Sequence, residues 1–225
     1  LRISGGELEQ QRVLFYGAGQ AGIGIGNTIV AAMIERGVDP ERARQSCWFF
    51  DSNGLLVAGR DKIPSQKLPY AHEHAAIDNF AEAVRVLRPT AIMGCAGRAG
   101  VFSEEVVTAM ARLNRRPVVF ALSNPTANAE CTAAQAYGWS EGRAIFASGS
   151  PFEPVAVGNQ TLVPGQGNNA YIFPGVGLGA IASGTSRVTD DMFLAAARVL
   201  ASMVSDRDLA LGRVYPSLSR IREVS

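Results

Sequence analysis

The stretch Gly17-Ala18-Gly19-Gln20-Ala21-Gly22 has residue types and spacing suited to chemistry. It fits GxGxxG, a pattern in which the first glycine makes a tight turn, the second admits a pyrophosphate close to the backbone, and the following helix N-terminus offers free N–H groups. The motif alone is weak, and a plainer reading is glycine that merely lets a strand and a helix pack. Asp51 strengthens the ligand reading, because an acid closing the second strand would sit at the adenosine ribose edge. A third candidate is Asn124 in Ser-Asn-Pro-Thr, whose amide could equally cap the turn before Pro125. His72-Glu73-His74 has metal-ligating residue types, but i,i+2 histidines on an irregular polar loop read as surface residues.

These residues need a scaffold that places them together. Residues 12–16 read as a buried strand, and the apolar spacing of Ile23, Ile29, Val30, Met33 and Ile34 reads as a helix closed by Gly37. Asp39-Pro40 opens a short helix before a strand over 47–51, and Asn53-Gly54 marks a tight turn. Further strands are expected over 91–93, 117–122 and 144–147, with helices over 80–87, from Ser103, and over 132–137. Residues 148–175, rich in Gly, Pro and Asn, read as a functional loop and hairpin, followed by helices from Thr189 to Met203 and from Ser205 to Gly212. Alternating strands and helices imply an α/β fold, a Rossmann-like doubly wound and mostly parallel sheet with helices on both faces. In such sheets ligands bind at strand C-terminal ends. The loops carrying Ala96 and Gly97, and Ser123 and Asn124, would then share one crevice with the glycine turn.

The 225 residues, 47% hydrophobic and 18% charged, suffice for one α/β domain spanning 1–225. A net charge of +1 argues against nucleic acid or a membrane surface as partner, and no apolar run reaches the ~18 residues of a membrane span. Cys47, Cys95 and Cys131, widely spaced and odd in number, fit reduced thiols in a cytoplasmic protein better than a disulfide frame or a zinc site.

The segments GAGQAGIGIG, FDSNGLLVAGR, ALSNPTANAEC, GRAIFASGSPF, PGQGNNAYIFPG and GRVYPSL together resemble the C-terminal, nicotinamide-binding domain of malic enzymes, in order and over nearly the whole chain. The resemblance implies oxidation of L-malate to pyruvate and carbon dioxide with reduction of NAD or NADP, a divalent metal (Mg or Mn), and a homo-oligomer. It assigns Asn124, Asn168 and Asn169 to malate, and Gly17, Gly19, Gln20, Ala21, Gly22, Asp51, Ser52, Lys67, Ala96, Gly97, Ser123 and Asn124 to the dinucleotide. An amide suits malate, which displays both donors and acceptors.

In the resembling family the tyrosine acid, the lysine base and the metal ligands belong to segments before the glycine loop. The eleven residues preceding residue 12 contain no lysine, tyrosine or aspartate. No catalytic residue or metal ligand is therefore expected here, and the chain is expected to be a cofactor-binding piece, inactive alone. On cofactor choice Asp51 favours NAD, since its charge repels a 2′-phosphate. Ser52 and Lys67 resemble the NADP-dependent members, where a cation binds that phosphate, and NADP is the reading adopted. An alternative is a non-enzymatic dinucleotide-sensing module, which has no need of malate-binding asparagines. A different hydroxy-acid or amino-acid dehydrogenase would lead one to expect a lysine or histidine on the crevice loops, and none stands there.

Overall fold

A computed structural model describes residues 2–224. Strand β1 (Val13–Tyr16) leads through the glycine turn into α1 (Gln20–Glu35), then α2 (Pro40–Gln45), β2 (Cys47–Asp51), β3 (Gly54–Leu55), α3 (Phe80–Leu87), β4 (Ala91–Gly94), α4 (Glu104–Leu113), β5 (Val118–Ala121), α5 (Ala133–Trp139) and β6 (Ile145–Ser148). A hairpin of β7 (Val155–Val157) and β8 (Gln160–Leu162) follows. After it come β9 (Gly165–Gln166), α6 (Phe173–Ser183), α7 (Asp190–Ser202), α8 (Asp206–Ala210) and α9 (Ile221–Val224).

The main sheet runs β3-β2-β1-β4-β5-β6-β9, parallel throughout except for the β2–β3 pair. All four residues of β1 are buried, because the sheet is covered on both sides. Val13 and Phe15 face a core with Val30 and Met33 of α1 and Ala43 of α2. Leu14 and Tyr16 face the other, with Val84 of α3, Met110 of α4 and Ala136 of α5. Phe15 stacks on Phe49 at 4.6 Å between ring centres, and Tyr16 meets Phe80 edge-on at 5.0 Å. The expected fold class is the one observed.

The strand order sets the site. From β1 the chain builds outward through β2 to β3, and later strands build the other way through β4, β5, β6 and β9. The reversal lies between β1 and β4, where an open α/β sheet has its ligand crevice at the strand C-termini. The 148–175 segment contains the expected hairpin, but β9 also pairs with β6 and extends the main sheet. That pairing was hidden in the sequence, where Gly165-Gln166 reads as loop. Residues 72–74 also differ from expectation. His72 and His74 are half-buried, with rings 4.5 and 5.7 Å from that of Trp48, so the histidines cover an apolar side chain.

Candidate functional site: a two-part crevice at the sheet's reversal point

Two clefts meet at Cys95, at the end of β4. One, of about 530 Å³, is lined by Gly17, Gly19, Gln20, Asp51, Ser52, Lys67 and Ala96, with Cys95 and Arg98. The other, of about 390 Å³, is lined by Ala21, Asn124, Asn168 and Asn169, with Cys95, Leu122, Leu200 and Tyr215. Residues far apart in the chain thus converge because β1, β4 and β5 run parallel and end at the same edge. A larger groove, of about 700 Å³ between α3 and α4, lies elsewhere and is lined mainly by arginines and glutamates.

Gly22 lies against the floor of the crevice, where a Cβ would stand 2.4 Å from the Gly17 carbonyl oxygen and 2.9 Å from Cys95 Sγ. Helix α1 can approach β1 and β4 only without a side chain there. Gly19 is different: no protein atom lies within 4 Å of where its Cβ would be. It is the N-cap of α1, makes no side-chain cap, and is followed by a first turn without acid. By contrast α2, α4 and α8 each have a capping side chain and an acidic first turn. An uncapped helix start facing open space beside glycine fits a dinucleotide pyrophosphate.

Asp51 sits at the outer end of this cleft with Arg60 Nη1 2.9 Å from Oδ1 and Lys67 Nζ 2.9 Å from Oδ2; Oδ1 also accepts the Asn53 N–H at 2.9 Å. Burial raises the Asp51 pKa, but the bonds from Lys67, Asn53 and Arg60 outweigh it and hold the carboxyl below the usual range. Two cations against one carboxylate leave the cluster positive. Arg60 is the member that motif reading passed over.

In the second cleft Asn124 Oδ1 accepts a hydrogen bond from Ser150 Oγ at 2.6 Å, which leaves the amide N–H groups to donate. Asn168 Oδ1 accepts the Ala170 N–H at 2.9 Å, so this side chain is partly spent on capping its own turn. The Asn169 side chain makes no hydrogen bond among the described residues, while its carbonyl accepts the Ile172 N–H at 3.2 Å. The loop is anchored from behind by Tyr171, whose hydroxyl donates to the Pro216 carbonyl and whose ring stacks on Tyr215 at 5.8 Å.

Gly97 and Ser123 lie on the loops behind the crevice: the Gly97 N–H donates to Ser123 Oγ at 2.9 Å, and Ser123 is buried. Cys95 is half-buried, and burial, with Glu130 adding, pushes its thiol up to about 11. The three cysteines are free, and no cluster of three or more His, Cys, Asp or Glu side chains placed to hold a metal occurs among the described residues. No described helix is long and apolar enough to cross a membrane.

Fold and crevice define a dinucleotide-binding domain of the doubly wound class. The chain belongs to the malic enzyme family: the family model "Malic enzyme, NAD binding domain" matches residues 1–225. It is 50% identical over 226 residues to the NADP-dependent malic enzyme of Homo sapiens, covering 100% of this chain and 40% of that protein. The NADP-dependent malic enzyme of Dictyostelium discoideum is 51% identical over 221 residues, with 97% of this chain and 41% of that protein covered. The crystal structure of the malic enzyme of Entamoeba histolytica superposes with a TM-score of 0.75 at 24% identity, over 98% of this chain and 41% of that one, which speaks to the fold. The chain therefore spans about two-fifths of the length of these relatives.

Proposed function

We propose that this chain is the C-terminal dinucleotide-binding portion of an enzyme that oxidises L-malate to pyruvate and carbon dioxide, with NADP preferred over NAD. The observation that carries the reading is the junction of the two clefts at Cys95, which sets a phosphate-binding turn and three amide side chains on one crevice. The dinucleotide, when bound, supplies the hydride acceptor. This chain's residues then have separable tasks. The amides at the start of α1 and Gly19 receive the pyrophosphate. Ser52, Lys67 and the net positive charge around Asp51 favour a ribose 2′-phosphate. Asn124, its carbonyl oxygen held by Ser150, turns N–H donors toward a malate oxygen, and Asn169 adds an unspent amide.

The divalent ion and the proton-transfer groups are assigned to the remainder of the longer enzyme. Phe173, Leu178 and Ile181, 76%, 62% and 80% exposed on α6, support an assembled, homo-oligomeric state, and the three free thiols support a reducing, cytoplasmic setting.

The test is malate-dependent reduction of NADP by the full-length protein with Mg or Mn. Turnover yielding equal pyruvate and carbon dioxide is expected, and so is its loss in the 225-residue chain alone. Tight NADP binding without any malate turnover by the full-length protein would instead indicate a dinucleotide sensor.

A further inference from the structure

Glu130 is a carboxylate for which the proposed chemistry has no task. It is fully buried between the turn Thr126–Asn128 and α5, and no cation pairs with it among the described residues. An unpaired buried charge is costly, so its surroundings are informative.

Those surroundings are donors from the two loops that meet at the crevice. Ser123 Oγ donates a short hydrogen bond to Oε1, and the Ser123 N–H donates to Oε2 at 3.3 Å. Ser123 Oγ accepts from the Gly97 N–H at 2.9 Å. A hydroxyl has one proton, so the bonds run one way, from Gly97 through Ser123 to Glu130, and they end on a group that only accepts when ionised. The main chain tightens the same tie: the Phe102 N–H donates to the Glu130 carbonyl at 3.0 Å and the Gly100 N–H to that of Ala129 at 3.2 Å. Room for the carboxylate comes from Gly94, where a Cβ would stand 2.3 Å from Glu130 Cγ and Cδ.

We propose that Glu130 is a positioning residue for the dinucleotide: acting through Ser123, it fixes the Ala96-Gly97 loop at the end of β4 against the Ser123-Asn124 loop at the end of β5. Glu130 itself does not touch the cofactor. Burial, the largest influence, raises its pKa despite the hydrogen bonds it accepts. The titratable neighbours that feel its charge are the thiols of Cys95 and Cys131, both already pushed up by burial, to about 11 and about 12. The inference rests on the dinucleotide reading above.

The experiment measures NADP affinity of the full-length protein by titration calorimetry, with KM for NADP, kcat and thermal melting alongside, for Glu130→Gln, Ser123→Ala and the double variant. Replacing one acceptor oxygen by an amide N–H₂ turns a donor toward donors. About a tenfold loss of NADP affinity, carried in KM with kcat little changed and melting near wild type, is expected for each single variant. The double variant should lose no more than either single one, because both break the same tie. Wild-type affinity in a folded Glu130→Gln protein, or losses that multiply in the double variant, would overturn the inference. If Glu130→Gln does not fold, Glu130→Asp decides: its shorter carboxylate withdraws from Ser123 Oγ, so weakened NADP binding supports the tie and unchanged binding overturns it. A wild-type protein that binds no NADP would strike the dinucleotide reading itself, and this inference with it.

Discussion

Lys67 Nζ and Asp51 Oδ2 stand 2.9 Å apart, with side chains only 19% and 14% exposed, while Arg60 takes the other carboxylate oxygen. This pair changes the meaning of an aspartate at the end of the second strand. Alone, Asp51 would repel a ribose 2′-phosphate; bracketed by two cations, it becomes the means of holding them at the cleft.

Lys67→Gln in the full-length enzyme should weaken use of NADP by about 1.5–3 kcal/mol, roughly ten- to a hundredfold in kcat/KM, with NAD use barely changed. Steady-state kinetics with both cofactors check this. Equal losses for both would mean that Lys67 serves only to hold Asp51.

The glycines of α1 should separate into three behaviours. Gly22→Ala pushes a methyl into the Gly17 carbonyl and should cost about 1–3 kcal/mol of stability. Gly19→Ala meets no protein atom, so melting should stay near wild type while dinucleotide affinity falls. Gly24→Ala, also unobstructed within α1, should stabilise by roughly 0.5–1 kcal/mol and leave affinity alone. Melting curves and dinucleotide titrations of the three variants test the division.

His72 gives a pH dependence. Burial, outweighing the hydrogen bond between its Nε2 and the Cys47 carbonyl at 2.9 Å, holds its pKa below the ordinary 6.5. The folded state therefore binds fewer protons than the unfolded one in that window. The stability contribution is present above 6.5 and is lost as pH falls toward the folded value. Relative to His72→Gln, the wild type should lose melting temperature between pH ~7.5 and ~5.5. A constant gap across that range would contradict the assignment.

Asn124→Ala and Asn169→Ala in the full-length enzyme should each impair malate use and affect dinucleotide affinity less. The expected loss is on the order of 1 kcal/mol for a neutral hydrogen bond and about 1.5–3 for one to a malate carboxylate. Unchanged malate kinetics in both variants would remove these residues from the substrate pocket.

The parts of this fold legible in sequence are those encoded locally. The apolar run of β1 and the glycine spacing into α1 announce a strand, a turn and a helix within one short stretch. What depends on distant pairing was less visible. Lys67 reaches Asp51 across an irregular segment whose path no periodicity fixes. Glu130 lies in Ala-Asn-Ala-Glu-Cys, where no spacing singles it out, and only the missing side chain of Gly94 makes space for it. The convergence of Asn124 with Asn168 and Asn169 came from family resemblance, and the structure adds that Asn168 also caps its own turn.

Every site assignment above requires a dinucleotide lying across the reversal between β1 and β4, from Asp51 toward Asn124. Amide hydrogen exchange of the full-length protein, with and without NADP, tests it most directly. Slowed exchange is expected at residues 17–22, 51–53 and 95–97, with little change in the groove between α3 and α4. NADP binding that leaves the first three segments unprotected and slows exchange elsewhere would contradict it.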